Sequence, residues 1–164
     1  MIEIELLLEL FSMDAETGRL FWKSVSKHSP SRLGKEAGMC RVNRGGKRYW
    51  VVKINGRGVN RSRIVFAMTN GRWPVPCVDH INGDSLDDRP GNLREATRQQ
   101  NNWNIKGRKK SSTLPMGVTV NRCGRFVAQI GYCGRRKSIG SYATADEASE
   151  AYQQKRKELF GEFA

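Results

Sequence analysis

Histidine is nearly missing from this 164-residue chain: His28 and His80 are the only two, so any imidazole chemistry must use one of them. Cysteine is sparse as well. Cys40, Cys77, Cys123 and Cys133 form no C-x-x-C pair, which argues against a structural zinc site, whose ligands usually come in close pairs. With nothing suggesting export, they read as reduced, mostly packing cysteines of a cytoplasmic protein. No stretch approaches the roughly 18–20 apolar residues that span a bilayer. The apolar run Ile4–Phe11 is short, is interrupted by Glu5 and Glu9, and has no basic region before it. It reads as a short amphipathic helix, not a signal peptide, and no membrane partner is expected.

What is abundant is positive charge. The net charge is +13, with 29 Lys and Arg against 16 Asp and Glu. An excess of this size points to a polyanionic partner, nucleic acid before an anionic membrane. Its distribution is uneven. Residues 1–18 hold five acids and no Lys or Arg, whereas Arg19 to Val75 hold fourteen basic residues and the single acid Glu36. From Trp103 to Thr144 there are nine basic residues and no acid. Between the two basic blocks, residues 76–102 carry Asp79, Asp84, Asp87, Asp88 and Glu95. A carboxylate island between phosphate-seeking flanks fits a cation that works on a phosphate; a solvated acidic loop is the plainer alternative.

Local patterning predicts an α+β protein. Asp14–Gly18 reads as a turn feeding a strand at Arg19–Lys23, and residues 24–36 read as a loop. Strands are expected near Met39–Val42 and Lys47–Ile54, with Asn55-Gly56 a hairpin signal, then a short helix at Arg63–Thr69 ending at Gly71. Residues 75–104 read as a ββα unit: a strand at Val75–Asp79, a turn at Asn82-Gly83, a return strand at Asn92-Leu93, and a helix capped by Thr97. Residues 105–114 form a basic linker. Beyond it, strands at Gly117–Arg122, Arg125–Gly131 and Arg135–Tyr142 precede a helix from Thr144 to Phe160 with capping-box spacing at Thr144 and Glu147. Alternation places Val118, Val120, Phe126, Ala128, Ile130 and Ile139 under that helix. The expected domains are therefore 1–104 with a core at 75–104, and 115–164, a three-stranded antiparallel sheet packed on one helix.

The string Val78-Asp79-His80-Ile81-Asn82-Gly83-Asp84, followed by Gly91-Asn92-Leu93-Arg94 and Gln100-Asn101-Asn102, carries the chemistry. Cutting a phosphodiester needs a base to activate water and a cation to stabilise charge on the phosphate and the leaving oxygen. His80 suits the base, since an ordinary imidazole has a pKa of about 6.5. Asp79 lies on the opposite side of an ideal strand, but a strand end or kink lets both approach one phosphate. One carboxylate plus an amide oxygen suits Mg²⁺, which keeps waters and completes its octahedron with substrate. Asn92 is placed to hold the His80 ring and fix its tautomer.

This stretch resembles the HNH endonuclease family, in particular the free-standing and intron-encoded homing endonucleases of phages. The spacing from His80 twelve residues to Asn92 and nine more to Asn101 matches the family pattern. The resemblance implies His80 as general base, Asn92 as the residue that orients it, and Asp79 and Asn101 as ligands of Mg²⁺ or Mn²⁺, with the adjacent Asn102 an alternative to Asn101. It implies a ββα-metal core preceded by a small mixed unit, and it runs from about Leu7 to Asn104. Where relatives often carry His-Arg at the start of the preceding helix, this chain has Ser62-Arg63.

The last 48 residues resemble the APETALA/ethylene-response-factor type of DNA-binding domain, through Gly117-Val118, Gly124–Ile130, Ile139–Tyr142 and Thr144–Tyr152. That family lays its sheet into the major groove. The resemblance implies base or phosphate contacts at Thr119, Asn121, Gln129, Arg136 and Ser138. Arg122, Arg125, Arg135 and Lys137 are expected on phosphates, which position without specifying sequence. The linker cations Lys106, Arg108, Lys109 and Lys110 either follow the DNA backbone or belong to a solvated tether.

The expectation is a monomer that binds double-stranded DNA and hydrolyses one strand at a preferred site. A DNA-binding regulator with an inactive HNH core is the main rival. An RNA-directed protein is the second, although the chain has few aromatics placed for base stacking.

Overall fold

The computed structural model describes residues 2–25, 30–104, 113–132 and 134–164. It is a mixed α+β chain that divides into two compact units, 1–101 and 102–164.

In the first unit, α1 (Ile4–Leu10) runs directly into β1 (Phe11–Met13), which pairs antiparallel with β2 (Leu20–Trp22). The turn between them is built by Asp14, whose carboxylate accepts from the Glu16 backbone N–H and the Thr17 hydroxyl. Gly18 closes that turn at φ +68° and lies so near the Asp88 carbonyl that a Cβ would stand 2.1 Å from its oxygen. Both the left-handed φ and the contact demand glycine.

A three-stranded antiparallel sheet follows: β3 (Met39–Val42), β4 (Arg48–Ile54) and β5 (Arg57–Asn60), in that order. Asn55 at φ +47° and Gly56 at φ +79° form the tight turn between β4 and β5, the positive-φ geometry that Asn-Gly favours in hairpins. Sequence reading found the turn but named no strand after it. The following α2 (Arg61–Asn70) starts two residues earlier than expected and ends on the left-handed Gly71. Leu7, Phe11, Leu20, Val52, Ile54, Ile64 and Val65 are buried together in one core with Leu93. Leu93 and Val78 join that core to β6 (Cys77–His80) and β7 (Leu93–Ala96), and α3 (Arg98–Trp103) follows, completing the ββα arrangement read from the sequence. Thr97 caps α3 as expected. Its hydroxyl accepts from the Gln100 N–H, and Gln100 reaches back to the Thr97 N–H.

The second unit is a sheet of β8 (Val118–Val120), β9 (Phe126–Tyr132) and β10 (Arg135–Tyr142), ordered β10-β9-β8 and covered by α4 (Ala145–Phe160). The Thr144–Glu147 capping box is fully formed. Val118, Ala128 and Ile130 are buried against Ala148 and Tyr152. Val120, expected inside, is 49% exposed: it is the last residue of the edge strand β8. Ile139 stands where the β9–β10 register shifts between Ser138 and Gly140. The unit also claims Trp103, whose ring stacks on Phe160 at 4.7 Å and whose carbonyl accepts from buried Arg156 at 2.7 Å. This is why the division falls after residue 101, ahead of the basic stretch expected to separate the domains. No helix among the described residues is long and apolar enough to cross a membrane.

Candidate active site

Strand pairing places the central residues. β6 and β7 are antiparallel with Asp79 opposite Arg94 and His80 opposite Leu93. Successive side chains on a strand point to opposite faces, so Asp79 and His80 enter different surroundings. Asp79 is buried, and Arg94 Nε donates to its Oδ2 at 2.9 Å. His80 lines a cleft of about 360 Å³ together with Asn101 of α3 and Ser85 of the loop after β6. Asn43, Lys47 and Tyr49 from the β3–β4 hairpin form another part of its wall. The structure therefore brings His80 and Asn101 to one polar cleft that Lys47 also lines, while Asp79 is not among the residues that line it.

Behind His80 runs a chain of buried charges. His80 Nε2 lies 2.9 Å from Asp88 Oδ1. Arg61 Nε donates to the other Asp88 oxygen at 2.8 Å, and Arg61 Nη1 donates to Glu36 Oε1 at 2.9 Å. The Arg61 guanidinium also covers the Trp50 ring at 4.5 Å. Asp88 is 1% exposed and Arg61 3%. Buried charges persist where they are paired and hydrogen-bonded, and each of these is.

Asn92 does something other than expected. Its Nδ2 donates to Asn82 Oδ1 and to the Asp87 carbonyl, and its Oδ1 accepts from the Asn82 N–H. The residue that meets the His80 ring at Nε2 is Asp88, and Asn92 clamps the 82–87 loop. Within that loop the Arg89 guanidinium grips Asp87 with two hydrogen bonds of 2.7 Å and holds its carboxyl below the usual range. Glu95 of β7 is pushed down to about 2, chiefly by its paired hydrogen bonds from Arg72 and then by the Val75 N–H. Those bonds tie the segment entering β6 to β7.

For a divalent cation, no cluster of three or more His, Cys, Asp or Glu side chains able to hold one exists among the described residues. Asp79 and Asn101 offer a carboxylate and an amide oxygen. By donor chemistry such a pair suits an ion that completes its shell with water and phosphate rather than zinc, but Asp79 and Asn101 do not line one cleft here. Arg94 is the cation on Asp79 in this structure.

Sequence reading missed Asp88, Arg61 and Glu36. Glu36 did carry a signal, as the single acid of a long basic block. Arg61 was indistinguishable from a phosphate-binding arginine, and Asp88 from a loop aspartate.

In the second unit, the register sorts the expected DNA contacts. Ser138 stands opposite Gln129, Arg136 opposite Gly131, and Thr119 opposite Val127, so Thr119, Gln129, Arg136 and Ser138 share the face away from α4. Arg135 and Lys137 pair with Tyr132 and Ile130 and belong to the other face, where Lys137 Nζ lies 5.7 Å from the Tyr132 ring centre. Asn121 Oδ1 accepts from the Cys123 and Arg125 N–H groups, so it shapes the β8–β9 turn. Arg122 is exposed on that turn, and Arg125 leans on Ser141 through its Nε and Nη2. Lys106, Arg108, Lys109 and Lys110 lie outside the described residues.

Residues 60–103 match the HNH endonuclease family. The match takes in Arg61, Asp79, His80, Asp88, Asn92 and Asn101, and leaves out Glu36 and the β8–β10 unit. The chain is also 36% identical over 87 residues to an uncharacterized HNH endonuclease of Acanthamoeba polyphaga mimivirus, an alignment covering 53% of this chain. It spans 44% of that viral protein's length. No solved structure matches.

Proposed function

We propose that this chain is a metal-dependent HNH endonuclease of the homing type, hydrolysing a phosphodiester bond at a preferred site in double-stranded DNA. The observation that carries this reading is His80, held by Asp88 at Nε2 and lining a polar cleft with Lys47 and Asn101, within a segment that matches the HNH family. His80 takes a proton from a water whose oxygen bonds to phosphorus. The phosphorus–oxygen bond to the leaving sugar breaks, and that oxygen takes a proton from solvent. Asp79 and Asn101 would hold a Mg²⁺ or Mn²⁺ ion, which when bound stabilises negative charge on the phosphate and the leaving oxygen. Asn92 keeps the loop after β6 in place, and Lys47 meets the phosphate backbone at the cleft.

Thr119, Gln129, Arg136 and Ser138 form the reading face, with Arg122 and Arg125 on flanking phosphates. Asn121 contributes through the turn that it shapes, Arg135 and Lys137 grip backbone from the sheet end, and Lys106, Arg108, Lys109 and Lys110 follow the DNA between units. One His80 per chain gives a nick by a monomer. A supercoiled-plasmid assay with Mg²⁺, Mn²⁺ or EDTA tests this. Metal-dependent open circle is expected, and direct appearance of linear product would replace nicking with paired cutting.

A second reading, a DNA-binding regulator with a silent core, is favoured by one observation: Asp79 is closed off by Arg94. It predicts tight duplex binding with no cleavage under any metal.

A further inference from the structure

We propose that Asp88 is a positioning residue that sets the tautomer of His80, with Arg61 fixing which way Asp88 can act. The kinetic part of this proposal rests on the nuclease reading; the structural part does not.

A carboxylate offers only acceptors, so the 2.9 Å contact to Asp88 Oδ1 requires His80 Nε2 to carry a hydrogen. In the neutral ring the lone pair then sits on Nδ1, and Nδ1 is the base. The other Asp88 oxygen is committed to Arg61, a group that can only donate. Arg61 is itself held by Glu36 and lies over Trp50. Gly18 fixes the Asp88 backbone by packing against its carbonyl. Three elements distant in sequence thus converge to hold one carboxylate in one orientation, far more than an acidic loop residue needs.

This geometry makes an unusual forecast for Asp88→Asn. The new amide has one acceptor and one donor end. Arg61 demands the acceptor, so the NH₂ must face His80 Nε2. The ring can accept there only by moving its hydrogen to Nδ1. An almost isosteric change therefore exchanges the tautomer and removes the base.

The experiment is ¹⁵N NMR of the histidine rings in the full chain, at about pH 8.5, where an ordinary imidazole is neutral. With two histidines in the chain, His80→Ala assigns the spectrum. Wild type is expected to show His80 with hydrogen on Nε2, and Asp88→Asn to show it on Nδ1. In the same variant kcat should fall by about 10²–10⁴-fold, the range a positioned base contributes, with KM changed little. Adding Arg61→Gln to Asp88→Asn supplies an acceptor beside the amide and should return the hydrogen to Nε2. A wild-type His80 with hydrogen on Nδ1 overturns the proposal, and does so even if Asp88→Asn does not fold. An unchanged tautomer in a folded Asp88→Asn variant also overturns it. The expected tautomers in a protein that cleaves no DNA would sink the nuclease reading while leaving the positioning role standing.

Discussion

Replacing Arg61 by methionine should unfold the first unit far more readily than removal of any surface arginine. Arg61 is 3% exposed and bridges Glu36 to Asp88, itself 1% exposed. The substitution keeps the apolar stem and volume but leaves Asp88 with a buried charge and no guanidinium. Breaking a buried pair from one side costs about 3–5 kcal/mol, to which the lost contact with Trp50 adds about 0.5–1 kcal/mol. Glu36, 32% exposed at its side chain, can turn to water and adds little. With an m value of about 2 kcal/mol per molar urea, the unfolding midpoint should fall by roughly 1.8–3 M. Tryptophan emission is the suitable probe, since Trp22, Trp50 and Trp73 all lie in the first unit. Arg72→Ala, which breaks an exposed, solvent-screened pair with Glu95, should move the midpoint far less by comparison. A loss below about 1 kcal/mol for Arg61→Met would refute the claim that the buried chain of charges is a structural commitment.

Gly18→Ala should act on the site from a distance. The added methyl meets the Asp88 carbonyl and the φ of +68° disfavours any Cβ, so Asp88 must shift and DNA cleavage should drop together with stability; cleavage and melting temperature equal to wild type would contradict this. Glu95 supplies an acid-range prediction. Its carboxyl is depressed to about 2 in the folded chain, below the ordinary range of about 4.3. Its contribution is therefore present above that range and lost as pH falls toward 2, so the melting temperatures of wild type and Arg72→Ala should converge between about pH 5 and pH 2.

Much of the scaffold was legible because local chemistry agrees with the fold. Asn55-Gly56 can hardly do anything but turn, Thr144 and Glu147 cap α4 as their spacing predicts, and the strand expected at Arg135–Tyr142 forms as β10, with its alternation broken at Ile139. His80 and Asn101 line one cleft, while Asp79, expected to act with them, is not among its lining residues. The failures share a cause. Val120 looks like core by alternation, yet it ends an edge strand and is exposed. Asn92 was placed beside His80 by spacing, while its amide is taken up by Asn82 and Asp87. The support of His80 comes from residues 8, 19 and 44 positions away along the chain. Such pairings are decided when β2, α2 and the 81–92 loop pack together, and no local pattern records them.

The most direct test of the whole account compares wild type with His80→Ala on the same duplex target, in single turnover with Mg²⁺, while measuring DNA affinity in EDTA. The account predicts a cleavage rate lower by about 10²–10⁴-fold in the variant with affinity unchanged. Equal cleavage by the two proteins would contradict it.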